Sequence, residues 1–106
     1  MNLIGFRGLG YGQYNTTTPA FSLTTVPTTG NALPTGTQQA GAALALLQAE
    51  GANIRWRDDG TVPTATIGTI LYVGADPYPY SGDLNRIQFI QVAAGAILNV
   101  TYYGAI

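Results

Sequence analysis

Asn53-Ile54-Arg55-Trp56-Arg57-Asp58-Asp59-Gly60 is the stretch on which the fold class turns. It holds the single Trp, two of the four Arg and two of the five acidic residues. In a strand, successive side chains point to opposite faces. Ile54 and Trp56 then feed a core, while Asn53, Arg55 and Arg57 face the other way. Asp58-Asp59-Gly60 ends the strand as a turn, because Asp bonds nearby backbone and Gly accepts positive φ. Arg55, Arg57, Asp58 and Asp59 are expected to form a structural polar network.

The chain downstream reads as further strands. Thr61–Gly68 is expected to be an extended edge segment, since Pro63 cannot donate to a ladder. Thr69–Val73 reads as a short strand, and residues 74–79, with Pro77 and Pro79, as a loop. Tyr80–Asp83 turns into a strand over Leu84–Val92, with Ile87 and Phe89 on one face and Ile90 and Val92 on the other. Ala93-Ala94-Gly95 is read as a turn into Ala96–Tyr103, where Leu98, Val100 and Tyr102 point inward and Asn99, Thr101 and Tyr103 outward. These two strands are expected to pair as an antiparallel hairpin. The expected core is Ile54, Trp56, Phe89, Leu98 and Val100.

Upstream, Ala42–Glu50 has good helix propensity but lies between Gly41 and Gly51 with no capping residue ahead of it. Pattern alone leaves helix and strand open, and the surroundings favour a buried strand. No charged residue occurs from Gly8 to Ala49. Phe21–Val26 alternates as a strand stopped by Pro27, followed by a loop over residues 28–37. Residues 1–20 carry Gly5, Gly8, Gly10 and Gly12 with Phe6, Leu9, Tyr11 and Tyr14 between them. They read as an extended arm that orders on a neighbouring subunit through those four anchors. Tyr78, Tyr80 and Tyr103 are further expected interface residues, since Tyr is enriched at protein contacts. The expected organisation is an arm and first strand over residues 1–40 and a core domain over residues 41–106.

Composition narrows the function. Of 106 residues only 8% are charged, against roughly 25% in ordinary soluble domains. Such low charge suggests a surface covered by copies of the chain or by a partner. Gly, Thr and Ala occur 14 times each, an all-β bias. There is no Cys, His or Lys. Disulfides, thiolate metal sites, Schiff-base chemistry and a conventional Ser–His triad are therefore excluded. A net charge of −1 advertises neither nucleic acid nor an anionic membrane. No apolar run approaches the roughly 20 residues of a membrane span, and the first residues lack a signal-peptide pattern. The expectation is a protein made in a cytoplasm, without catalytic residues, metal or cofactor. Gly8-Leu9-Gly10-Tyr11-Gly12 lacks the Lys-Ser/Thr of a phosphate loop. Asp58 and Asp59 diverge on an extended chain, and the Asp-x-Asp spacing of a calcium loop is absent. The Tyr cluster at residues 72, 78, 80, 102 and 103 allows sugar stacking as an alternative to protein contact.

Ala49–Thr61, then Pro63-Thr64-Ala65-Thr66 and Gly68, resembles a group of small tailed-bacteriophage virion proteins. The likeness continues at Tyr80, Gly82-Asp83-Leu84, Ile87 and Phe89-Ile90, and closes with Ala96, Leu98-Asn99-Val100 and Tyr102-Tyr103. It covers about residues 42–103 and leaves residues 1–40 unmatched. The resemblance implies a capsid decoration (cement) protein with a β-sandwich fold. Strand spacing suggests the jelly-roll type. The expected protein is an all-β virion subunit at the capsid surface, a dimer or trimer that clamps the major capsid protein. A tail, head–tail or fibre-base subunit, and a carbohydrate-binding module on the virion, are the alternatives.

Overall fold

The computed structural model describes residues 4–15, 31–33 and 40–105, with no helix among them. Their strands are β1 (Phe6–Tyr14), β2 (Asn31–Ala32), β3 (Leu44–Glu50), β4 (Ile54–Arg57), β5 (Thr69–Leu71), β6 (Tyr78–Tyr80), β7 (Gln88–Gln91) and β8 (Ile97–Ala105). They make two antiparallel sheets, in the orders β1-β8-β3-β6 and β2-β7-β4-β5. β2 adds only a two-residue pairing to β7, so three longer strands carry the second sheet. The expected strand at Phe21–Val26 and most of the expected loop at 28–37 lie outside the described residues.

One apolar cluster takes side chains from both sheets. Leu47, Leu98, Val100 and Tyr102 come from the first, and Ile54, Trp56, Leu71 and Phe89 from the second. Period-two alternation causes this. Along β8 the inward Leu98, Val100 and Tyr102 are fully buried. In β4 Ile54 and Trp56 are buried while Arg55 and Arg57 between and after them are not. Ala42–Glu50 resolves as strand from Leu44, paired with β8 over seven residues. Cross-strand packing outweighs helix propensity there. Gly51 ends the strand at φ 77°, and a Cβ on it would lie 2.1 Å from the Gly95 carbonyl oxygen.

Five expectations need correction. Of the arm expected over residues 1–20, only residues 4–15 are described, and these do not wait for a neighbour: Phe6–Tyr14 pairs with β8 of the same chain, with a register shift between Gly8 and Gly10. Tyr14 is buried in the core, where its hydroxyl bonds that of Tyr102 at 3.0 Å. Gly12 makes this possible, because a Cβ there would sit 2.2 Å from the Tyr14 hydroxyl. Residues 6–14 therefore belong to the same sheet as β3 and β8 rather than to a separate unit.

The hairpin expected between residues 84–92 and 96–103 does not form. β7 pairs with β4 and β2, whereas β8 pairs with β1 and β3. Ala93-Ala94-Gly95 instead carries the chain from one sheet to the other. Both strands present an apolar face to one core, but from opposite sides of it. The strand expected over Leu84–Val92 is also shorter, because Asp83 nucleates a turn: its carbonyl accepts from Arg86 and Ile87 and its carboxylate from Asn85.

Thr61–Gly68 is a compact loop, not an extended edge. Thr64 and Ile67 exchange backbone bonds at 2.9 and 3.3 Å, and the Thr64 hydroxyl accepts from the Ile67 amide at 2.9 Å. Lastly, the loop expected at 74–79 closes early, since Tyr78–Tyr80 pairs with β3 as β6.

Candidate functional site

The four polar residues that follow one another around the end of β4 separate into three bonding roles. Arg55 meets no carboxylate: its Nε donates to the Ala65 carbonyl at 3.2 Å and its Nη1 to that of Gly68 at 2.7 Å. It fastens the 61–68 loop. Arg57 and Asp59 form a two-pronged pair, with Nε to Oδ1 at 3.1 Å and Nη2 to Oδ2 at 2.5 Å. Hydrogen bonding from Arg57, then from the Thr61 amide, holds the Asp59 carboxyl down at about 2. The same bond raises Arg57. Asp58 turns to the other sheet and accepts from the Tyr80 hydroxyl at 2.8 Å. Burial, then this bond, pushes the Tyr80 phenol well above its usual value. Burial, then the Tyr14 hydroxyl, does the same to Tyr102. Each carboxylate is thus occupied as a structural acceptor.

The residues expected at an interface do not share one surface. Tyr14 and Tyr80 are buried inside the chain. Phe6 and Leu9 are half-buried on β1, with Leu9 packed against the core. Tyr103 is half-buried on the outer face of the first sheet, opposite Gly8 and Leu44. Tyr11 and Tyr78 remain exposed. Tyr78 tilts against Trp56 with ring centroids 5.9 Å apart, and Tyr80 meets Trp56 edge-on at 5.4 Å. Trp56 itself is buried, and its Nε1 has no hydrogen-bond partner among the described residues.

Among the described residues, hollows open to a ligand or partner include a shallow one of about 420 Å³ beside Trp56, Arg57, Asp58, Asp59 and Ile67. On the β5–β6 side, Tyr72 and Tyr78 flank a hollow of about 190 Å³ with Ile70, Ala75 and Asp76, and Val73 is exposed beside it. On the outer face of the first sheet lies another hollow of about 170 Å³, bounded by Tyr11, Gln48, Glu50 and Thr101. Its polar members stand on three strands. The Asn99 carboxamide oxygen accepts from Tyr11 Oη and from Gln13 Nε2, and its Nδ2 donates to Glu50 Oε1. Alternation places Asn99 and Thr101 outward, but only the β1-β8-β3 register aligns them with Tyr11, Gln48 and Glu50. No local sequence signal joins residues so far apart.

Among the described residues no three His, Cys, Asp or Glu side chains gather as a metal-binding group, and no helix is long and apolar enough to cross a membrane. Comparisons with protein-family models, with curated proteins and with solved structures found no match.

Proposed function

We propose that the chain is a structural subunit of a bacteriophage virion, acting as a capsid decoration (cement) protein without catalysis. The observation that carries the reading is the exposed set Tyr72, Val73 and Tyr78, with Asp76 the one charge beside it, on a chain with only nine formally charged residues. A surface of this kind gains free energy from burial against another protein, about 25 cal/mol per Å² of apolar area before association costs. The resemblance at residues 49–68, 80–90 and 96–103 supports the same assignment. In this reading the two sheets are a jelly-roll type β-sandwich. The partner is the major capsid protein, the subunit is a dimer or trimer, and neither nucleic acid nor membrane is bound. The protein is made in the host cytoplasm and ends on the capsid surface.

Co-sedimentation with purified capsids and with purified tails tests the proposal. Binding to capsids, lost in the double variant Tyr72→Asp, Tyr78→Asp, is expected. Binding to tails alone would make the chain a tail, head–tail or fibre-base subunit. Binding to neither would remove the virion role.

A further inference from the structure

Edge strands are ordinarily blunted by charge, proline or cover, because their outward amides and carbonyls invite another strand. Two edges border the hollow between Tyr72 and Tyr78. β6 closes the first sheet and is blunted, since Pro79 at its centre has no amide to donate. β5 closes the second sheet and is not. Thr69-Ile70-Leu71 carries neither charge nor proline, and among the described residues it pairs only with β4. In an antiparallel ladder alternate residues direct amide and carbonyl away from the partner strand. No described residue bonds those outward groups of β5.

The edge is also held ready. Just before β5, Arg55 Nη1 donates to the Gly68 carbonyl at 2.7 Å; just after it, the Val73 amide donates to Asn53 Oδ1 at 2.8 Å. Both ends of the strand are thus fastened to β4 and its flank, and the outer side stays open. β5 runs from one hollow to another. Gly68 and Thr69 line the one of about 420 Å³ beside Trp56, and Ile70, Leu71 and Tyr72 the one of about 190 Å³. The smaller falls below the roughly 300–1,000 Å³ of drug-sized pockets and suits one apolar side chain, with Leu47 and Leu71 of the core behind it. Charge along the run is one-sided. Arg57 is matched by Asp59, whereas Asp58 bonds a neutral phenol and Asp76 has no cation paired with it among the described residues.

We propose that the outer edge of β5 takes up an extended, cationic peptide segment of a partner protein as an added strand, with one apolar side chain seated between Tyr72 and Tyr78 and a Lys or Arg beside Asp76. The inference rests on the proposed function in using the same Tyr72–Tyr78 surface, and it names how the partner is held there. Three residues of β5 offer few ladder bonds, so the apolar anchor and the charges set the affinity.

Titration of the full chain with synthetic peptides of about nine residues, alternating Ile and Thr, tests it, read by peptide anisotropy and by the emission of Trp56, the only Trp. One peptide ends in Lys, a second in Glu, and two more are Lys-ended but N-methylated on one or the other alternate set of amides. The Lys-ended peptide should bind below about 1 mM, and the Glu-ended one about tenfold more weakly. One of the two N-methylated peptides should lose about tenfold, since only one set of amides faces β5. Tyr72→Ala and Asp76→Asn should each weaken the Lys-ended peptide severalfold, and Thr101→Ala on the outer face of the first sheet should leave it unchanged. Circular dichroism checks that each variant keeps the β fold. Absence of binding at about 1 mM, equal binding of both N-methylated peptides, or indifference to both Tyr72→Ala and Asp76→Asn overturns the proposal. A dimer abolished by Tyr72→Ala, with no peptide bound, would make a second copy the occupant and overturn it too. Capsid co-sedimentation without peptide binding would remove strand addition alone, and peptide binding without co-sedimentation would remove the virion role alone.

Discussion

The Tyr80 hydroxyl donates to Asp58 Oδ2 at 2.8 Å and so ties the first sheet to the second. Tyr80 ends β6, and Asp58 directly follows β4. The ring of Tyr80 also packs edge-on against Trp56, so the bond fixes an aromatic contact as well as a turn. Tyr80→Phe keeps the ring and removes the donor. It should destabilise the fold by about 1–2 kcal/mol, toward the lower end for a bond to a charged acceptor because Asp58 can recover water. Urea unfolding would register this as a lower midpoint with an unchanged slope.

Alkaline pH should expose the same group. Burial raises the Tyr80 and Tyr102 phenols in the folded chain, so the native state holds protons that the unfolded state releases near pH 10. Their contribution is complete below about pH 10 and is lost as pH rises above it. Stability should fall with pH in that window, and Tyr80→Phe should flatten the fall. A slope unchanged in the variant would place the effect elsewhere.

Acid should release the Arg57–Asp59 pair. Asp59 is held at about 2, below an unperturbed Asp near 4, so its contribution is present above about pH 4 and disappears as pH falls toward 2. Melting temperatures across that interval should fall less steeply for Asp59→Asn than for the parent chain.

Trp56→Ala should cost about 3–5 kcal/mol, as a large buried aromatic that both sheets enclose. Native emission should be blue-shifted, consistent with its 8% exposure. A red-shifted native spectrum with a small loss would contradict the burial.

Removing residues 1–14 should abolish cooperative folding. β1 supplies the outer ladder to β8 and places Tyr14 in the core beside Tyr102. If thermal unfolding of the truncated chain remained cooperative at nearly the original midpoint, β1 would be dispensable.

Gly51→Ala should destabilise by at least about 1–3 kcal/mol, since the position needs a left-handed backbone and the Gly95 carbonyl occupies the space of a side chain. Chemical denaturation gives the loss directly.

How much of this was legible depended on what alternation can carry. It gives the face of a strand, so Ile54, Trp56, Leu98 and Val100 could be assigned inward from the chain itself. It does not give the partner, and so β7 and β8 looked like a hairpin although they lie in different sheets. β1 was illegible for another reason. Glycine at 8, 10 and 12 writes no apolar pattern, while what matters at Gly12 is the missing Cβ beneath Tyr14. The polar residues near β4 announced themselves by type, but Arg55 bonds carbonyls of a loop that looked extended. The outer hollow was invisible because Tyr11, Glu50 and Asn99 meet only through register.

The β1–β8 ladder joins Phe6 to Ala105. A growing polypeptide cannot close that ladder until β8 has left the ribosome. Closing so long a loop costs entropy before any contact is gained, and proteins dominated by such distant pairings fold on the slow, millisecond-to-second side. β1 must therefore wait without its β8 partner until residues 97–105 have been made. That interval, rather than the finished fold, is when this weakly charged chain is most exposed to association with its own copies.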